Sequence, residues 1–460
     1  MNTLELMPTE ENLIRALNED ILQRNKDLVY FYDLLMAQET AGAIAIDGRW
    51  GSGKTFFVKQ SLLLINAKNP MSKMNEDERL HILYRVPFRK NNDVLDENYD
   101  LAIYFDAWEN DNDTEPVLSI IYEITKQLGL TYPFDSNSDV FKMAGSIFET
   151  ISGRNINNII DALKGDNPLK RFKVQKDIEE TLKEFFTEIL KERGNRLIVF
   201  IDELDRCKPS YAVHLLEQIK HYLCDDRITF VFSVNLRELQ HTISHFYGES
   251  FDSCRYLDRF FDIRVAIPPA DVSRFFDKIA LSSDSQYVLN MICKRIIENY
   301  NFELREITRF YLQVKTAVYG ATIENDEPKL LFPDEAGEKL ILFYIVPVII
   351  GLKIIGTSLH DEFVNGKNVQ PLLDIFDTEE FGDWFLHGLL NGDESYGDEE
   401  NKKKISYKQK ITDLYNAIFV NNYGERGGYM VLGNHRFGAS SRMFAISAAS
   451  MFSDYANLEV

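Results

Sequence analysis

Gly48-Arg49-Trp50-Gly51-Ser52-Gly53-Lys54-Thr55 decides the fold, because it meets the pattern G-x-x-x-x-G-K-[ST] at every fixed position. AIAID (43–47) precedes it and FFVKQSLLLI (56–65) follows, so the loop joins a short apolar strand to an apolar helix. Glycines let the backbone curl until successive N–H groups face one anion, and the helix adds its positive N-terminal end. The pattern predicts that Gly48, Trp50, Gly51, Ser52, Gly53 and Phe56 surround phosphate groups. Lys54, expected as an exposed loop side chain, reaches the outer phosphates, and the Thr55 hydroxyl is placed on Mg2+.

Five apolar, β-branched runs stand out around this loop: 43–47, 101–106, 197–201, 228–233 and 263–267. Most are apolar on both faces and helical stretches separate them. That is the pattern of parallel strands covered by helices, so a doubly wound α/β sheet is expected. The run 197–201 ends in Asp202 and Glu203. A strand buried on both faces delivers its last side chain to the carboxyl edge of the sheet, where open α/β sheets bind ligands. Asp202 is therefore placed on Mg2+ and Glu203 on the attacking water as general base; the alternative is two acids that cap the next helix. Asp205 and Arg206 follow, and either fix this turn or touch the nucleotide or a subunit.

Three further positions carry the expected chemistry. Asn235, with Ser233 as runner-up, ends the run 228–233 and reads as a γ-phosphate sensor or as a plain strand-terminal Asn. Arg255 and Arg259 precede the fifth run. In ring-forming nucleotide hydrolases an arginine at that point enters the neighbouring subunit's site, so Arg259 reads as a finger acting in trans or as a local partner of Asp258 or Asp262. Arg305 and Arg309 share one helical face, and Arg305 either reaches the phosphates or pairs with Glu303 or Glu306. The expected ligands are ATP and Mg2+, since no guanine-reading N-K-x-D follows the loop.

The formal net charge of −21 over 460 residues disfavours sequence-independent binding to a nucleic-acid backbone. Apolar residues make up 45%, enough for a large core. Cys207, Cys224, Cys254 and Cys293 form no C-x-x-C pair and residues 1–20 are polar and acidic, which together predict reduced thiols and a cytoplasmic protein. The apolar run 340–352 is too short to span a membrane, is broken by Pro347, and reads as a buried helix. The pattern divides the chain into a helical segment (1–40), a core (41–270) with a helical insertion at 116–195, a helical lid (271–330) and a mostly helical region (331–460). Within the insertion, Gly and Asn near 152–167 predict a loop, and the acidic stretches 93–100 and 393–400 read as solvated surface.

GRWGSGKT, YFDAWEND (104–111), FIDELDRCKPSYAVHLLEQIKHYL (200–223) and YLDRFFDIRVAIP (256–268), with LREITRF (304–310) after them, together resemble the KAP family of P-loop NTPases over residues 15–320. The resemblance implies an additional-strand P-loop NTPase core with sheet order 5-1-4-3-2 and a helical lid. Trp108 matches an aromatic position of the family and reads as a buried anchor. The chain departs from the family in two ways: Asn235 stands where Asp is frequent, and the membrane helices often inserted in members are not visible. Bacterial members are similar to proteins of phage-exclusion and other defence loci, which implies a defence role and an effector protein as partner. Three uses of such a site remain open: an ATPase that couples nucleotide state to assembly or to an effector, a phosphotransferase, and a module that holds nucleotide without turnover.

Overall fold

The computed structural model describes residues 7–38, 42–72, 74–85, 99–128, 180, 182–191, 193–222, 225–280, 287–319, 323–324, 327–328, 336–378, 407–421, 428–433 and 435–450. Most of the expected insertion, its loop at 152–167 and the acidic stretches 93–98 and 393–400 lie outside these residues. The chain divides into two compact units, Leu6–Ala270 and Asp271–Val460.

The first unit is built on five strands: β1 (Ala43–Asp47), β2 (Asp100–Asp106), β3 (Arg196–Asp202), β4 (Ile228–Val234) and β5 (Ile263–Ala266). All pair in parallel, in the order β2-β3-β4-β1-β5, which is the expected 5-1-4-3-2 read from the other edge. Alternate residues feed two apolar clusters, one for each face, as the two-residue period of a strand requires. Leu197, Val199 and Ile201 join Phe105, Ile120, Leu216 and Leu239, whereas Ile198 and Phe200 join Ile44, Ile46, Val58 and Leu28. β4 lies in the middle of the sheet and every one of its residues is buried.

The register places the functional ends of the strands in line. One row across the sheet runs Asp106, Asp202, Ser233, Ile46, Val265. Gly48 therefore starts two residues beyond this row on β1, Glu203 one beyond it on β3, and Asn235 two beyond it on β4. The exits of β1 and β4 are stitched together: Gly48 N–H donates to the Val234 carbonyl (3.2 Å) and Leu236 N–H to Asp47 Oδ1 (2.9 Å).

At the opposite edge Asp100 and Arg196 face each other across β2 and β3. The guanidinium grips the carboxylate at 3.1 Å and 2.7 Å, and Arg196 also donates to the Gln38 carbonyl at 2.9 Å. Asp100 is buried while Arg196 keeps about a quarter of its side chain in solvent. Asp100→Ala removes the carboxylate but leaves Arg196 its carbonyl partners and some solvent, so an expected loss of about 2 kcal/mol in unfolding free energy, within the range for a hydrogen bond to a charged group, is checked by denaturant titration.

The second unit is mostly helical. Among its described residues, Tyr287–Asn299, Leu304–Tyr319 and Val346–Ile355 are helices, and Gly351 lets the last pack closely on Ile296. The apolar run is buried as expected but is not one regular helix. Ala336–Leu340 passes into a π-helical stretch, Ile341–Ile345, before Val346–Ile355 resumes. Pro347 has no N–H for the regular ladder and its ring crowds the preceding turn, which the wider π turn accommodates. Among the described residues no helix is long and apolar enough to cross a membrane. The stretch 421–460, which the sequence leaves unassigned, contains an antiparallel pair, Tyr429–Leu432 with His435–Gly438, and the helix Ala439–Ser450.

Candidate functional site

The loop after β1 has the backbone that its glycines allow. Gly53, the residue before helix Lys54–Lys68, takes φ 88°, which an L side chain rarely adopts. At Gly48 a Cβ would come within 2.5 Å of the Ile267 side chain and 2.9 Å of Ser52 Oγ. Phe57 N–H donates to the Gly53 carbonyl at 3.0 Å, so the N–H groups of Lys54, Thr55 and Phe56 leave the helix end without a helical acceptor. The Phe56 ring itself is buried in the helix packing. Ser52 is tied inward, its hydroxyl to the Arg49 carbonyl (2.8 Å) and its own carbonyl to the buried Arg24 (3.0 Å).

Lys54 is buried, not exposed as the sequence reading has it, because the loop wraps its ammonium. Nζ donates to the carbonyls of Gly48 (2.7 Å) and Arg49 (3.2 Å). Burial lowers its pKa; Asp205, Asp202 and Glu203 act in the opposite direction by charge. Thr55 stands beside it, half-buried at the start of the helix.

Asp202 is 1% exposed, at the end of β3. One oxygen accepts from the Glu203 N–H (3.0 Å) and the other from the Tyr104 hydroxyl (3.1 Å). Sequence reasoning gives Tyr104 no role; the pairing of β2 with β3 brings it here, and Lys59 lies over its ring at 4.4 Å. Glu203 takes the left-handed backbone conformation at φ 61°, unusual for a residue with a side chain, at a cost of about 1–2 kcal/mol. That turn sends the chain into the short 3-10 helix Leu204–Arg206 and directs Glu203 into an ion pair with Arg206. Burial pushes the Glu203 carboxyl up to about 7, the charge of Asp202 adds to this, and Arg206 opposes it.

The turn after β3 reaches across to the phosphate loop. The Trp50 indole N–H donates to the buried Asp205 carboxylate at 2.5 Å. Burial raises the Asp205 pKa, and the Trp50 bond and the Lys54 charge pull it back. The Arg206 guanidinium lies 5.8 Å from the Trp50 ring centroid and 5.6 Å from that of Trp108. Trp108 is thus no buried anchor: it is 52% exposed, because the β2 turn carries it outward over Arg206. That turn is fixed by Asp106, whose carboxylate accepts the N–H groups of Trp108 (3.0 Å) and Glu109 (3.1 Å). Asp111 in turn accepts the Lys208 N–H at 3.2 Å.

The remaining expected residues divide. Asn235 lies at the same edge, but its side chain caps helix Leu236–Tyr247 by accepting the Glu238 N–H at 3.4 Å. Ser233, fully buried, faces Asp202 in the register, and among the described residues its hydroxyl has no hydrogen-bond partner. Arg259 is exposed at the other edge of the sheet, where it lines a cavity of about 350 Å3 with Gly42, Lys220 and Phe260. Neither expected local partner holds it: Asp258 pairs with Arg264, and Asp262 accepts the Ala43 N–H at 2.8 Å. Arg255 is exposed nearby. Arg305 and Arg309 are exposed on helix Leu304–Tyr319 of the second unit.

A search among curated proteins returned no match. The family model of the KAP family P-loop domain matches residues 28–320, a span that takes in the phosphate loop, the acidic strand and all five strands of the sheet. With well over half of its length accounted for in this way, and with nucleotide binding as the consequence, the chain belongs to the KAP family of P-loop NTPases.

Proposed function

We propose that the protein binds MgATP and hydrolyses it, and that the nucleotide state governs self-assembly or engagement of an effector protein. The observation that carries this reading is the strand register. It sets Asp202 and Glu203 level with the phosphate loop, one strand removed, with β4 between them. The backbone N–H groups at the helix start and the Lys54 ammonium receive the phosphates. Thr55 and Asp202 would hold Mg2+, and Asp202 keeps lone pairs for that after its two hydrogen bonds. Among the described residues no three His, Cys, Asp or Glu side chains gather as a metal site, so phosphate oxygens and water complete the expected donor set. Mg2+, when bound, would neutralise part of the phosphate charge.

Glu203 is the general base in this reading. It stands one residue past Asp202, and a carboxyl with a pKa near 7 accepts a proton readily at neutral pH. The Asn235 amide, whose oxygen caps the next helix, keeps its N–H groups to donate toward the γ-phosphate, and a neighbouring copy's Arg259 adds positive charge there. A role in antiviral defence, in the cytoplasm of a bacterium, rests on the family resemblance alone.

The test separates binding from chemistry. Glu203→Gln keeps size and hydrogen bonding but removes the base. ATP binding should persist, while phosphate release falls at least about tenfold, the lower end for a lost general base. Unchanged release would return Glu203 to a structural role. Transfer of phosphate to an added acceptor, with little released to water, would make the protein a phosphotransferase instead.

A further inference from the structure

We propose that Arg206 is a positioning residue, held between Trp50 of the phosphate loop and Trp108 of the β2 turn, that sets Glu203 for its work. The inference rests on the reading of Glu203 as the base and adds the device that aims it. Three contacts carry it. Arg206 pairs with Glu203 through Nε, three residues on along one tight turn. Its guanidinium has an indole at 5.8 Å and another at 5.6 Å, from elements far apart in sequence. The first indole is itself pinned, since the Trp50 N–H is bonded to buried Asp205.

The physical reason for such a clamp is rotamer freedom. An arginine side chain has many rotamers to lose, so an unsupported ion pair would hold Glu203 loosely. Each indole face attracts the cation that lies over it, and two such faces from different elements restrict that freedom. Both indoles are about half exposed, which removes burial of the indoles as a sufficient reason for their place here. The clamp also joins the two halves of the site. Trp50 belongs to the loop that takes the phosphates, and Glu203 to the strand that brings the base, so a displacement of the loop is felt at the carboxylate.

The experiment compares nucleotide affinity, read by equilibrium binding of ATP with Mg2+, against kcat for phosphate release. Arg206→Gln should lower kcat at least about tenfold and leave affinity within about threefold, the signature of a group that acts after binding. Arg206→Lys keeps the charge on Glu203 and should recover part of that loss. Trp108→Ala should lower kcat in the same way but less, and Trp108→Phe, which leaves a ring over the guanidinium, should restore it. The decisive measurement is the double variant Glu203→Gln with Arg206→Gln. If Arg206 acts through Glu203, the double variant stays within about twofold of Glu203→Gln alone. Losses that multiply would mean that Arg206 acts on its own, and would overturn the proposal, as would a loss of affinity that matches the loss of rate. A rise in kcat for Arg206→Gln would also overturn it, since the pair would then restrain the base. Should Glu203→Gln itself hydrolyse ATP normally, the base assignment fails first, and the two failures are told apart.

Discussion

Replacing Lys54 with Ala is expected to abolish MgATP turnover, with kcat lowered at least about a hundredfold, as for other charges aimed at a transition state. The ammonium is held 2.7 Å from the Gly48 carbonyl, inside the curl of the loop. A phosphate that enters the loop therefore meets a positive charge already in place, so little is lost in ordering it. The variant also leaves the Gly48 and Arg49 carbonyls without their shared donor. Loss of those hydrogen bonds costs about 1–2 kcal/mol of stability, too little to unfold a domain of this size. Phosphate release and thermal melting, measured on the same preparation, check both halves. Turnover at the wild-type rate in a folded Lys54→Ala protein would remove the central claim.

Arg259→Ala should lower turnover by about 10³–10⁵ if the guanidinium completes a neighbouring copy's site, with stability almost unchanged. The expectation draws on two observations. The residue lies at the edge of the sheet where strands begin, whereas its own phosphate loop follows the end of β1. Its nearest acids are engaged elsewhere, Asp258 with Arg264 and Asp262 with the Ala43 N–H, so truncation breaks no ion pair among the described residues. Such a surface change is worth less than about 0.5 kcal/mol of folding free energy. Mixing is the informative experiment. Arg259→Ala subunits keep a site and lack the finger; Lys54→Ala subunits lack a site and keep the finger. Two inactive preparations that regain activity when combined would establish action in trans. Failure to regain it, with monomeric sedimentation in ATP, would leave a monomeric switch.

Local chemistry makes much of this legible in the sequence. The glycines and Lys54 announce a phosphate loop because only that backbone needs them. The apolar run that ends at Asp202 announces a buried strand because it has no polar face. What stayed hidden depends on pairing between distant segments. Tyr104 reaches Asp202 across 98 residues and Trp50 reaches Asp205 across 155, and no local pattern encodes either contact. Lys54 reads as exposed in the sequence for the same reason, since its cover is the folded loop and not its neighbours on the helix. Trp108, which the family resemblance makes a buried anchor, is instead carried outward by the turn that Asp106 locks. The left-handed conformation of Glu203 had no signal at all, as no Gly or Asn marks the position.

The chain contains three tryptophans, and two of them flank Arg206. The protein therefore carries a built-in optical reporter on the part of the molecule where chemistry is expected. Indole emission responds to nearby charge and to water, and Trp50 and Trp108 share one cation and are both partly wetted. A shift of that guanidinium changes the colour and brightness of both at once, without any attached dye. Comparing the emission of Trp50→Phe and Trp108→Phe proteins with that of the parent would assign the signal to one face or the other, and a stopped-flow trace would then time the site's response to nucleotide directly.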